Sequence, residues 1–130
     1  MRSRTQPGRD RGQVALEYIG FIAILLFVGL AAIQLGIAAY AANQAGTGAR
    51  AAARAASLDD PGPGEPTLDA GAAATAAVSD WLHPKVTAAG GGGDAVAYTV
   101  TITIPSVIPG ISDFGTTTRT STMPKLQHHN

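Results

Sequence analysis

A carboxylate stands at the edge of the most apolar part of this chain. Glu17 precedes residues 18–42, a stretch in which Gln34 is the only strongly polar side chain. An ionised carboxylate in hydrocarbon costs roughly 2.5–3.5 kcal/mol at the centre of a helix and less near its end, so it must find water or a partner. Its position fits a side chain snorkelling at a membrane interface, with Tyr18 beside it as an interfacial aromatic. The remaining reactive side chains do not converge. There is no cysteine, hence no disulfide, thiolate nucleophile or thiolate metal site. His128 and His129 are adjacent but have no third ligand nearby in sequence and read as an untethered tail. Ser57, Ser79, Asp80 and His83 match no nucleophile motif. The glycine run within residues 88–94 lacks the Lys-Ser/Thr pair of a phosphate loop and reads as a flexible link. The sequence therefore predicts no catalytic residue, no metal, no cofactor and no small-molecule substrate.

Composition points the same way. A chain of 130 residues holds one domain at most, or a small domain on a stalk. Its 25 alanines and 16 glycines bury little area each, which argues against a large soluble enzyme core. Nine Lys+Arg balance nine Asp+Glu, so no nucleic-acid partner is expected from overall charge. Arg50 and Arg54, four residues apart, read as a solvated helix face.

The charge is unevenly placed. Arg2, Arg4, Arg9 and Arg11 stand against Asp10 alone in residues 1–12, where Pro7, Gly8 and Gly12 predict a disordered basic leader. The apolar run that follows would reach about 37 Å as a helix, against a hydrocarbon core of roughly 30 Å. It is apolar on every face, so a membrane span over about 18–42 is predicted, with membrane lipid as its partner. Only Arg50 and Arg54 are basic in the twenty or so residues after it, which makes the leader cytoplasmic and the remainder extracytoplasmic. Alanine-rich residues 43–57 extend the helix, so one rod from about Gln13 to Ser57 is expected. The Pro/Gly linker 58–66 ends it.

Residues 67–130 predict a small α+β head. A second helix is expected over 67–82, with Leu68, Val78, Trp81 and Leu82 as its packing face. Residues 95–104 alternate as a half-buried strand, with Val96, Tyr98, Val100, Ile102 and Ile104 on one side. Residues 116–123 are β-prone and complete a hairpin with it. Two strands and one helix are marginal alone, so the head is expected to need a partner. The tail from Lys125 carries no structural pattern.

A basic leader, Gly12, Gln13 and three further residues, then Glu17 and Tyr18 ahead of a long apolar helix: this order resembles the prepilin processing motif of the Tad/Flp (type IVb-like) pilus system. The resemblance covers roughly residues 9–57, and the chain's size and Thr-rich tail are similar to the TadE/TadG-type minor pilins and pseudopilins of that system. It implies cleavage by a prepilin peptidase between Gly12 and Gln13, which leaves Glu17 fifth and Tyr18 sixth in a mature chain of residues 13–130. It also implies other pilin or pseudopilin subunits and inner-membrane platform proteins as partners. The Phe typical of a type IVa first mature position is absent, Gln13 standing there instead. Cleavage would expose an ammonium at Gln13 with which Glu17 of a neighbouring subunit could pair, fixing the register of parallel helices. Gly29 and Gly36 share a face, and Ala32 with Gly36 forms a small-xxx-small pattern suited to helix packing. Two other readings remain open. The chain could be an uncleaved single-pass anchor for an extracytoplasmic binding module. Alternatively, Ala39, Tyr40 and Ala41 could form the A-x-A site of a signal peptide on a secreted protein.

Overall fold

The computed structural model describes residues 7–58 and 69–126. Leu68, His128, His129, residues 1–6 of the leader and residues 59–66 of the linker lie outside them. The architecture is α+β, as the sequence predicts: a long helix, α1 (Pro7–Leu58), a short helix, α2 (Ala70–Ala76), and an antiparallel sheet in the order β1-β2-β3. The strands are β1 (Lys85–Ala88), β2 (Ala95–Pro105) and β3 (Asp113–Pro124).

The rod runs as expected to its C-terminus but starts earlier. Residues 7–12 are helical, not a disordered leader, and no boundary falls at Gly12. Pro7 occupies the first helical position, where its missing N–H costs nothing. Asp10 lies in the first turn, where it favours the helix dipole. A single Gly costs about 1 kcal/mol, too little to stop the run. At 52 residues α1 is about 78 Å long.

The second helix is shorter than expected, and its end has an identifiable cause. Asp69 caps it by accepting from the Gly71 and Ala72 amides at 2.8 and 3.3 Å. After Ala76 the chain is captured by α1: the Gln44 side-chain oxygen accepts from the Ser79 amide at 3.3 Å, and Tyr40 Oη lies 2.7 Å from Ser79 Oγ. Residues Asp80–Leu82 then form one 3-10 turn, closed by His83 at φ 46° in the left-handed region. The turn sends Val78 and Leu82 into the core. Trp81 does not join them: it is 52% exposed and its ring lies parallel to that of Tyr40 at 6.0 Å.

The expected hairpin carries a third strand. Lys85–Ala88 pairs antiparallel with β2, Val86 opposite Val100. Four residues with one half-buried side chain leave little alternation to detect. In β2 the expected face is the inner one: Val100, Ile102 and Ile104 are buried and Tyr98 packs against them, while Ala97 on the other side is buried as well. The outer face is threonine-rich, with Thr99 paired to Thr120 and Thr101 to Thr118 through their hydroxyls. The tail is tied down, since the Lys125 amide donates to the Asp94 carbonyl and the Leu126 amide to that of Ser57.

The head finds its partner in its own chain. Ala41, Ala45, Ala49 and Ala52 of α1, all fully buried, form one wall of the core. Their three- and four-residue spacing makes a stripe on one helix face. β2 lies antiparallel to α1, with its end at Gln34 and its start near Ser57. Gly48 permits the closest approach: a Cβ there would meet Val78 Cγ2 at 2.8 Å and Val100 Cγ1 at 3.5 Å. Because Val78 is β-branched and stiff, Gly48→Val should destabilise the chain by about 1–3 kcal/mol through overpacking. Ile102→Ala should cost about 2–5 kcal/mol through the cavity it leaves. Denaturant unfolding of the detergent-solubilised full chain checks both, and wild-type midpoints would contradict this packing.

Candidate functional site

The candidate site is the N-terminal half of α1 together with the place where the head takes hold of it. From Asp10 to Ile33 every described side chain is exposed except half-buried Leu30. This surface carries Leu16, Ile19, Phe21, Leu25, Leu26 and Phe27 open on all sides. By length and composition α1 is a helix able to cross a membrane. The face that is free all round ends at Ile33, because Gln34, Ala38 and Ala41 lie under the head. The span expected over about 18–42 therefore overlaps the head from Gln34 on, while the bare stretch from Gln13 to Ile33 is about 31 Å long, close to a hydrocarbon core of roughly 30 Å.

At the start of this bare half stand the residues singled out in the sequence. Gly12 and Gln13 are exposed and helical, and a Cβ at Gly12 would meet nothing within 4 Å. Glu17 is exposed on the next turn, and Tyr18 follows at 65% exposure. No described residue of the head packs against them. A protease requires extended backbone, so cutting at Gly12–Gln13 would require the first turns of α1 to unwind, which Gly12 makes easier than a residue with a side chain would.

The small residues of the bare half also have a defined side. At about 100° per residue, Gly36 lies about 200° round the helix from Gln34, and Gly29 and Ala32 fall within about 40° of Gly36. All three are exposed. They form a stripe opposite the head, whereas Ala41, Ala45, Gly48, Ala49 and Ala52 are covered by the chain's own head.

Gln34, noted in the sequence only as a polar interruption, is the joint between the two halves. It is 4% exposed. Its Nε2 donates to the Pro105 carbonyl at 3.0 Å, and its Oε1 accepts from the Val107 amide at 2.9 Å. These backbone groups are released where β2 ends, next to a register irregularity between Thr103 and Pro105. One amide side chain therefore satisfies a donor and an acceptor that the ladder leaves over. An amide inside a long apolar run is the feature that could have pointed to it. A second joint, the exposed Tyr40–Trp81 pair, sits about 9 Å further along α1.

On the other side of α1, Ala42, Asn43, Gly46, Arg50, Arg119, Thr120 and Ser121 line an open cleft of about 360 Å³. Arg50 is exposed, as expected, with its guanidinium 3.5 Å from Thr47 Oγ1, and Arg119 reaches across from β3 beside Gly46. Of the other polar residues considered, Ser57 Oγ donates to the Arg54 carbonyl and Ser79 to Tyr40 or from it. Compared with protein-family models, curated proteins and solved structures, the chain matches none.

Replacing Gln34 by Leu keeps the volume but leaves the Pro105 carbonyl and Val107 amide without partners, a loss of about 1–3 kcal/mol at the joint. Hydrogen exchange at the Val107 amide should accelerate by about tenfold or more in the Gln34→Leu chain. Unchanged exchange would mean that the loop is held by something else.

Proposed function

We propose that the chain is a minor pilin or pseudopilin of a Tad/Flp-type pilus or a related export machine, a structural and interaction protein rather than an enzyme. It is a single-pass protein of the bacterial cytoplasmic membrane, with its N-terminus cytoplasmic and its head outside. A prepilin peptidase matures it between Gly12 and Gln13. The observation that carries this reading is the division of one helix into two halves. The half that begins with Gly12, Gln13, Glu17 and Tyr18 is bare and apolar, while the other half is the spine of the head. Glu17 stands at the edge of the apolar run, where a plain anchor would have it snorkel to water and an assembling subunit would have it pair with a neighbour.

On this reading Glu17 acts between subunits. Removal of the leader leaves an ammonium at Gln13, and Glu17 of a neighbour pairs with it at one axial offset. The stripe of Gly29, Ala32 and Gly36, turned away from the head, permits the close helix approach that such a bundle requires. Breaking one partner of a buried pair costs about 3–5 kcal/mol, enough to prevent addition of a subunit. The packing counts against secretion by a cut at Ala41. That cut would remove Gln34, Tyr40 and Ala41, all of which the head uses.

The test separates insertion from assembly. Glu17→Ala should leave the protein in the carbonate-resistant membrane fraction while abolishing surface filaments in cells that depend on this copy. Normal filaments would overturn the proposal and leave an uncleaved anchored module.

A further inference from the structure

The connection between β2 and β3 is an unusual surface loop. Loops are normally polar, yet residues 105–111 read Pro-Ser-Val-Ile-Pro-Gly-Ile, and the first charge after β2 is Asp113, where β3 begins. Val107 is exposed, Ile111 and Phe114 are 45% and 46% exposed, and Ile108 is half-buried. Ile108 and Phe114 lie against Ala31, Leu35 and Ala38 of α1 around an apolar hollow of about 210 Å³. Leu35 and Ile33 are themselves exposed. The apolar surface of the bare half of α1 thus continues without a break onto the head.

Its height along the helix identifies what covers it. The head covers α1 from Gln34 on, so a span through the bare half ends at Ile33 and Gln34, where the loop is clamped. The Tyr40–Trp81 pair stands about 9 Å higher, at the depth of the headgroups, where such aromatics are favoured. We propose that Val107, Ile108, Ile111 and Phe114 form a second lipid contact at the top of the acyl chains of the leaflet from which the head emerges, with exposed Asp113, which accepts from the Gly115 amide, at the level of the headgroups. This surface fixes the tilt and rotation of the head on the membrane. The inference rests on α1 spanning the bilayer, and its test keeps the two apart.

The absence of cysteine makes the chain suited to single-site labelling. Full-length Ile111→Cys, Val107→Cys, Phe27→Cys and Gly92→Cys chains, each carrying an environment-sensitive NBD fluorophore, are reconstituted in phosphatidylethanolamine/phosphatidylglycerol vesicles. Gly92 serves as the distant reference, because that end of the sheet lies by Ser57, about 35 Å along α1 from Gln34. Its Cβ would meet nothing within 4 Å. Lipids with a nitroxide near the top of the acyl chain should quench the probes at Ile111 and Val107 several-fold more than the probe at Gly92, with blue-shifted emission. An unquenched Phe27 probe would mean that α1 does not span, and both readings fall. A quenched Phe27 probe with unquenched Ile111 and Val107 probes overturns the lipid contact alone. A blue shift at Ile111 that appears only in crowded vesicles and resists lipid quenching would assign the patch to a second copy and overturn it as well.

Discussion

The distance between the sheet and α1 governs this structure. Val100 and Ile102, the largest fully buried side chains, project from β2 onto a helix face made of Ala41, Ala45, Gly48, Ala49 and Ala52. Small residues on the helix let the strand lie close, and β-branched residues on the strand fill what remains. Neither surface would hold together by itself. A three-stranded sheet with a seven-residue helix is too small to enclose a core, and an alanine-rich helix offers little apolar area. Joined, they form a core in which the long helix is one wall.

That constraint ties anchor and head into one object. Gln34 closes the lower end of the contact, and backbone bonds from Leu126 to Ser57 and from Lys125 to Asp94 close the upper end. Force applied to the bare half of α1 is thus transmitted along the helix directly into the core of the head, with no flexible linker between them. The two alanine/glycine stripes divide the work. The one under the sheet is used within the chain, while Gly29, Ala32 and Gly36 lie on the opposite side.

Much of this was legible in the residues. The long helix, its C-terminal limit, the inner face of β2 and the α+β class follow from hydropathy, proline placement and period-two alternation. What escaped did so for physical reasons. The short strand Lys85–Ala88 has too few residues to establish a period. The expected second helix is longer than the observed one because helix propensity continues past Ala76 with Ala77, while Tyr40 and Gln44, distant in sequence, capture Ser79. Residues 7–12 read as disordered because Pro and Gly usually break a helix, yet Pro is harmless at the first position. Trp81, placed in the core by its type, instead stacks on Tyr40 in the open. In the candidate site, Gly12, Gln13, Glu17 and Tyr18 stand out through their resemblance to a prepilin motif, and in the structure they are exposed and helical. Gln34 could be noticed but not understood, because its partners lie about seventy residues away.

The central claim is that α1 acts as a processed helix whose mature start sets up the Glu17 contact. It is tested most directly by the N-terminus of the protein recovered from its own cell membranes, read by terminal-peptide mass spectrometry. The account predicts a start at Gln13, whether free, cyclised or methylated. A start at Met1 or Arg2 in cells with an active prepilin peptidase would contradict it and leave a plain anchored module. A start at Ala42 would contradict both the processing and the role of the long helix as the spine of the head.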